Sequence, residues 1–173
     1  MSGGRYNRAT GDAAAVSGGS NSEASGEMSS ISGGDGNVAS AIRSSVSGGL
    51  ENEAAGSDSS VGGGYGNHAT GRGASVSGGF RNTASGFWSS VTGGEENEAG
   101  FKSSVSGGFG NLASGLDSSV SGGNNNEATA DYSSVSGGNL CEANGDYSSV
   151  SGGFGRGVGG DFDWAAGSLF EDE

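Results

Sequence analysis

Single aliphatic residues recur along the chain at a nearly constant interval, each followed by a small polar residue and a pair of glycines. Written from the aliphatic position, the unit is V-S-G-G-x-x-N-x-A-S-G-x-x-S-S. It starts at Met1, Val16, Ile31, Val46, Val61, Val76, Val91, Val105, Val120, Val135 and Val150. Every step is fifteen residues except Val91 to Val105, which is fourteen and lacks the Ser or Thr between Ala99 and Gly100. Trp164-Ala165-Ala166-Gly167 reads as a degenerate final copy, with Trp164 at the aliphatic position. A short unit repeated at fixed period implies a stack in which each unit buries its apolar side only against its neighbours.

Each unit holds two half-units of similar grammar, Asn82-Thr83-Ala84-Ser85-Gly86 and Ser89-Ser90-Val91-Thr92-Gly93 being one pair. Alternation with a period of two predicts β-strand in each half. Glycine closes each half, where the corner needs a positive φ or a close backbone approach. The expected fold is all-β: a β-solenoid, or β-roll, of about eleven 15-residue coils with two short strands per coil, each about four residues long.

Alternation also sorts the side chains. Asn and Ala point inward in the first half, the first Ser and the Val in the second. The predicted core column is Val16, Ile31, Val46, Val61, Val76, Val91, Val105, Val120, Val135 and Val150. Beside it runs a predicted ladder of Asn37, Asn52, Asn67, Asn82, Asn97, Asn111 and Asn126, begun by Asn7. Amides stacked at identical positions can bond to the coils above and below. Ser22, Cys141 and Arg156 interrupt this ladder, and Cys141 reads as a small substitute within it.

Outward positions define two unlike faces. One is flat and almost uniformly Ser-x-Ser, with Ser104, Ser106, Ser119, Ser121, Ser134 and Ser136 as its clearest stretch. The other is acidic, carrying Glu23, Glu53, Glu98, Glu127 and Glu142. Aromatic residues fall at corners. Phe87, Phe101 and Leu116 share one column with Trp88 beside Phe87; Phe80 and Phe109 share another; Tyr132, Tyr147 and Phe162 form a third. Exposed apolar stripes serve binding or assembly, so Phe87, Trp88, Phe101 and Leu116 join the six serines as the candidate interface.

Composition sharpens this picture. Of 173 residues 40 are Gly and none is Pro; the hydrophobic share is 31% and the formal net charge is −13. Such a composition ordinarily means disorder, but a flexible linker has no need of fixed spacing. So few aliphatics stand against the ordering cost of so much glycine that further burial between chains, across the flat Ser face, is expected. That makes the predicted partner the chain itself, in a homotrimer or filament. Seven Lys plus Arg against twenty Asp plus Glu argue against nucleic acid or anionic lipid as partner. No apolar run approaches the ~20 residues that span a bilayer.

No chemistry-bearing constellation is legible. Cys141 is the single cysteine and His68 the single histidine, the latter at an outward position among Glu equivalents with no Ser-His-Asp partner. Gly153-Phe154-Gly155-Arg156-Gly157 resembles a phosphate loop only superficially, because such a loop needs a following helix. The calcium-binding β-roll pattern is missing. No catalytic residue, cofactor or metal is expected. No charged-then-apolar leader is legible, as expected of a chain whose leader is removed or that is made without one.

Stretches such as Asn111-Leu112-Ala113-Ser114-Gly115-Leu116-Asp117-Ser118-Ser119-Val120-Ser121-Gly122 resemble the left-handed β-roll heads of trimeric autotransporter adhesins, the YadA-like head repeats. The resemblance covers nearly the whole chain. It implies a left-handed coil, three chains side by side, a bacterial, extracellular cell-surface location and binding to host or matrix surfaces, with no catalytic residues. The family repeat places aliphatics where this chain has Ser104 and Ser106, so an interface at those positions would be polar. The half-units also resemble grass ice-binding β-rolls, which present a flat face to ice; a phage-tail-like fibre is a further alternative. Residues 1–160 are read as the solenoid domain. Residues 161–173 are read as the last coil and a cap, with Phe162, Trp164, Leu169 and Phe170 covering the end ahead of Glu171-Asp172-Glu173.

Overall fold

A computed structural model describes residues 3–166, so Met1 and the expected cap residues Leu169, Phe170 and Glu171 to Glu173 lie outside the described residues. Among the described residues there are twenty-two strands of two residues each, from Arg8–Ala9 to Trp164–Ala165, and no helix. They build two eleven-stranded sheets in which every pairing is parallel and each strand pairs with its equivalent one coil away. Ser75 faces Ser90 and Val76 faces Val91 in one sheet; Thr83 faces Glu98 and Ala84 faces Ala99 in the other. The chain is therefore a β-solenoid of about eleven coils. At a strand spacing of ~4.8 Å, it makes a rod roughly 50 Å long.

The strands are half the expected length, because the chain turns immediately on either side of each inward Ala or Val. Pairing nevertheless continues past them. Thr10 N–H donates to the Ala24 carbonyl, and Ser17 N–H to that of Ile31. A third ladder, which the sequence pattern does not announce, runs through one residue per coil, from Arg5↔Ser20 to Asn139↔Phe154. Backbone amides are thus held by the next coil along most of the circumference, as buried backbone groups require.

The core is as narrow as the pattern predicts. Each predicted Val, and Ile31, is 1% exposed, and Ala24, Ala39, Ala54, Ala69, Ala84, Ala99, Ala113, Ala128 and Ala143 are 0% exposed. These residues are dry within a single chain. The ladder Asn residues and the first Ser of the second halves are buried beside them, so the inward and outward assignment from alternation holds from Val16 to Val150. One assignment changes. Val150 pairs with Ala165, not Trp164; Trp164 occupies the outward column of the Ser face, 66% exposed. Phe162 is 77% exposed and stacks on Tyr147. Neither ring covers the last coil.

The corners carry most of the unexpected geometry. Glycine before the corner serves close approach: a Cβ on Gly71 would fall on the Gly86 carbonyl. The second glycine of each pair does have a positive φ, and at Gly79 (φ +97) a Cβ would also crowd the Asn82 amide at 2.5 Å. Yet the left-handed corner positions are mostly filled by other residues, among them Met28, Arg43, Arg81, Trp88, Lys102 and Tyr147. That conformation costs an L-residue roughly 1–2 kcal/mol. Its return is a reversed amide: Trp88 N–H donates back to the Arg72 carbonyl at 2.9 Å and Arg43 N–H to that of Glu27 at 2.8 Å. The strand and bridge amides point the other way, to the following coil.

The fourteen-residue coil is absorbed at one of these corners. Ser85 and Gly86 both donate to the Ala99 carbonyl, whereas above it Gly100 alone donates to Ala113. Strand register is unaffected, since Glu98 faces Leu112 and Ser90 faces Ser104. Inserting Ser between Ala99 and Gly100 should therefore leave the β circular dichroism and the melting temperature unchanged or slightly raised. Deleting Ala84 should abolish the cooperative melt, because a one-residue slip inside a strand turns every following side chain to the wrong face.

Candidate functional site

Inside the rod, the Asn column is a hydrogen-bonding column more than a stack of amides. Asn67 is typical. Its Nδ2 donates to the carbonyls of Gly63 at 2.8 Å and Gly79 at 3.0 Å, and its Oδ1 accepts the Asn82 backbone N–H at 2.9 Å. Amide-to-amide bonds are added in places, as from Asn97 Nδ2 to Asn82 Oδ1 at 3.1 Å. One side chain thereby ties its own corner to the following coil at two points. Ser22 keeps part of this: its Oγ accepts the Asn37 N–H at 3.2 Å and donates to the Ser20 carbonyl at 3.0 Å. Cys141 is fully buried in the same column, its Sγ 3.4 Å from the Gly153 carbonyl. That placement agrees with its reading as a ladder substitute.

The inward Ser column is less committed. Ser44 and Ser89 donate to the corner carbonyls of Ala41 and Gly86, each at 2.8 Å. The hydroxyls of Ser29, Ser59, Ser118 and Ser148 are buried without a partner. Ala74 occupies the same position, 1% exposed. A Ser that Ala can replace contributes shape more than hydrogen bonding.

On the outside, the predicted interface serines lie where alternation puts them. Ser104, Ser119 and Ser134 are half-buried and Ser106, Ser121 and Ser136 exposed, forming two parallel rows. The opposite face is less uniformly acidic than expected, because basic side chains lie beside its carboxylates. His68 Nδ1 lies 3.1 Å from Glu53 and Arg8 lies 3.9 Å from Glu23. At one corner Arg43 grips Asp58 with two bonds of 2.6 and 2.9 Å, which hold the Asp58 carboxyl below its ordinary value.

The predicted aromatic columns are present. Phe87 stacks on Phe101 with ring centroids 5.7 Å apart and planes 18° from parallel, while Trp88 meets Phe87 edge-on at 89°. Tyr132, Tyr147 and Phe162 stack at 4.7 and 5.1 Å. Leu116 is half-buried one coil above Phe101. Phe80 and Phe109 do not meet, because Glu95 lies between them; the partner of Phe80 is Tyr65, at 5.2 Å. Equal spacing from Phe80 would have found it. Sequence reasoning also missed the cations that cap the rings: Arg72 over Phe87 at 5.7 Å, Arg81 over Phe80 at 5.0 Å and Lys102 over Phe101 at 5.9 Å. It missed an exposed Asp ladder too, in which the backbone amides of Leu116, Asp131 and Asp146 donate to Asp131, Asp146 and Asp161.

A shallow notch of about 520 Å³ is lined by Glu51, Tyr65, Gly66, His68, Arg81 and Thr83. Among the described residues no group of three His, Cys, Asp or Glu side chains is placed to hold a metal ion, and no helix is long and apolar enough to cross a membrane. No protein-family model matches the chain, and no curated protein matches it significantly.

The two inward polar columns should respond differently to truncation. Asn67→Ala leaves the Gly63 carbonyl and the Asn82 backbone amide without partners, while Gly79 keeps the Tyr65 N–H, and should cost about 2–4 kcal/mol in urea unfolding. Ser59→Ala removes a hydroxyl that bonds to nothing and should change stability by less than about 0.5 kcal/mol, in either direction.

Proposed function

We propose that the chain is a non-enzymatic structural and adhesive repeat module of a bacterial surface protein or fibre, acting outside the cell and assembling with copies of itself side by side or end to end. One observation supports this reading above others: the coils are nearly identical inside and unlike outside. The inward Val, Ala and Asn positions barely change along the rod. The corner positions of successive coils run through Arg72, Phe87, Phe101, Leu116 and Asp131 in a single column. Such a division suits a scaffold that presents different groups at fixed heights, with corners free to vary because the interior alone specifies the fold. Likeness to YadA-like heads points the same way. A subunit of a phage-tail-like fibre would use the same physics.

A second reading, an ice-binding solenoid, is favoured by the Ser rows. Hydroxyls repeat at ~4.8 Å along the rod and at roughly 6.6–6.8 Å across each Ser-x-Ser pair, a flat and regular lattice for ordered water. The two readings part on assembly. Analytical ultracentrifugation should give trimers or longer assemblies for the adhesive module. A stable monomer of 16.6 kDa with thermal hysteresis would establish the ice-binding reading instead. Replacing both Phe87 and Phe101 by Ser should weaken assembly or adhesion while leaving β circular dichroism intact; unchanged behaviour would remove that corner from the interface.

A further inference from the structure

We propose that Trp88 is a stacking platform for a sugar ring, and that the corner around it takes an acidic polysaccharide, a chain of pyranose units bearing carboxylate or sulfate groups. The inference rests on the adhesive reading and names what one corner would hold.

The seat of the indole is built by the coil beneath it. A Cβ on Gly73 would lie 2.7 Å from Trp88 Cε3 and 2.9 Å from Cδ2 and Cζ3, so the ring rests directly on the Gly73 backbone. Other coils place Met28, Arg43, Asp58 or Lys102 in that column; any of these would fill the seat. Ala74 departs from the usual Ser in the same coil, and the fourteen-residue coil begins just above. The repeat is thus broken on both sides of Trp88.

Orientation separates this ring from the exposed aromatics that stack in columns. Tyr132, Tyr147 and Phe162 stack face to face, 10° and 4° from parallel, so that Tyr147 spends both faces and the outer two rings one each. Phe87 and Phe101 also stack on each other. Trp88 stands at 89° to Phe87, with one face on Gly73 and the ring 59% exposed. Its free face is therefore open to solvent. An aromatic face carries the negative part of the ring quadrupole and attracts the weakly positive C–H groups on the apolar side of a pyranose.

The flanking cations supply the charge preference. Arg72 lies over Phe87 and only loosely reaches Asp58, at 4.0 Å with its own side chain 64% exposed. Lys102 lies over Phe101 and, among the described residues, makes no ion pair within 4 Å. These two exposed cations flank the indole on a chain of net charge −13. An acidic polysaccharide lying along the corner would meet the platform and both cations together.

The test uses the full chain carrying Trp164→Phe, which leaves Trp88 as the one indole, and polygalacturonate as probe with dextran as the neutral control. Polygalacturonate should shift or quench the fluorescence saturably, and binding should weaken as salt rises. Trp88→Ala, and separately Arg72→Ala with Lys102→Ala, should each weaken binding at least tenfold by calorimetry with β circular dichroism retained; Trp88→Tyr, which keeps a ring, should lose less. Dextran should bind at least tenfold more weakly. Absence of a response, binding untouched by Trp88→Ala, or equal binding of dextran would each overturn the proposal. Adhesion without any polygalacturonate response sinks this inference alone. Polygalacturonate binding by a chain that neither assembles nor adheres sinks the adhesive reading alone.

Discussion

Backbone pairing between one coil and the next, in parallel and in register, is the constraint on which everything else in this molecule depends. The interior offers one Val and one Ala per coil, far less apolar burial per residue than an ordinary domain of this size. What compensates is completeness. Two strand ladders, a one-residue bridge and reversed corner amides bind successive coils, and the Asn side chain satisfies the glycine carbonyl that its own turn leaves over and adds a second donor to one in the next coil. Each feature has little worth in an isolated coil, because its partner belongs to a neighbour.

This dependence explains why the inside is monotonous. A ladder residue must offer a donor for two carbonyls and an acceptor for one amide, within the space of an Asn; Ser22 meets part of that demand. The second glycine of each pair is fixed by the same contact, since a Cβ at Gly79 would collide with the Asn82 amide and the next coil together. Corners feel no such demand beyond their left-handed backbone. They accept Arg, Trp, Lys and Tyr alike, and there chemical individuality accumulates.

Fold, coil count and the inward set were legible because a period of fifteen and an alternation of two admit few solutions. Strand length was not, since it depends on where the corners pinch the ladder. The Tyr65–Phe80 stack was missed although the spacing contained it. The degenerate copy sets Trp164 at the aliphatic position by pattern alone, whereas Ala165 fills the narrow interior and the indole stands outside, donating to Ser151 at 3.0 Å. Left-handed corners such as Met28 and Arg43 carried no signal, because their reward is a bond to the previous coil and not a preference of the residue itself. The Trp88 seat is half visible in the sequence, which shows the aromatic but not its dependence on Gly73 fifteen residues earlier.

Native-state hydrogen exchange on individual amides tests the central claim most directly. If coils hold one another around their whole circumference, the exposed corner amides of Arg43, Arg81 and Trp88 will be protected to about the same degree as the strand amides of Ser45, Thr83 and Ser90, and protection will decline together towards the two ends of the rod. Corner amides that exchange like free loops while the strands stay protected would contradict the account. The sheets alone would then be carrying the fold.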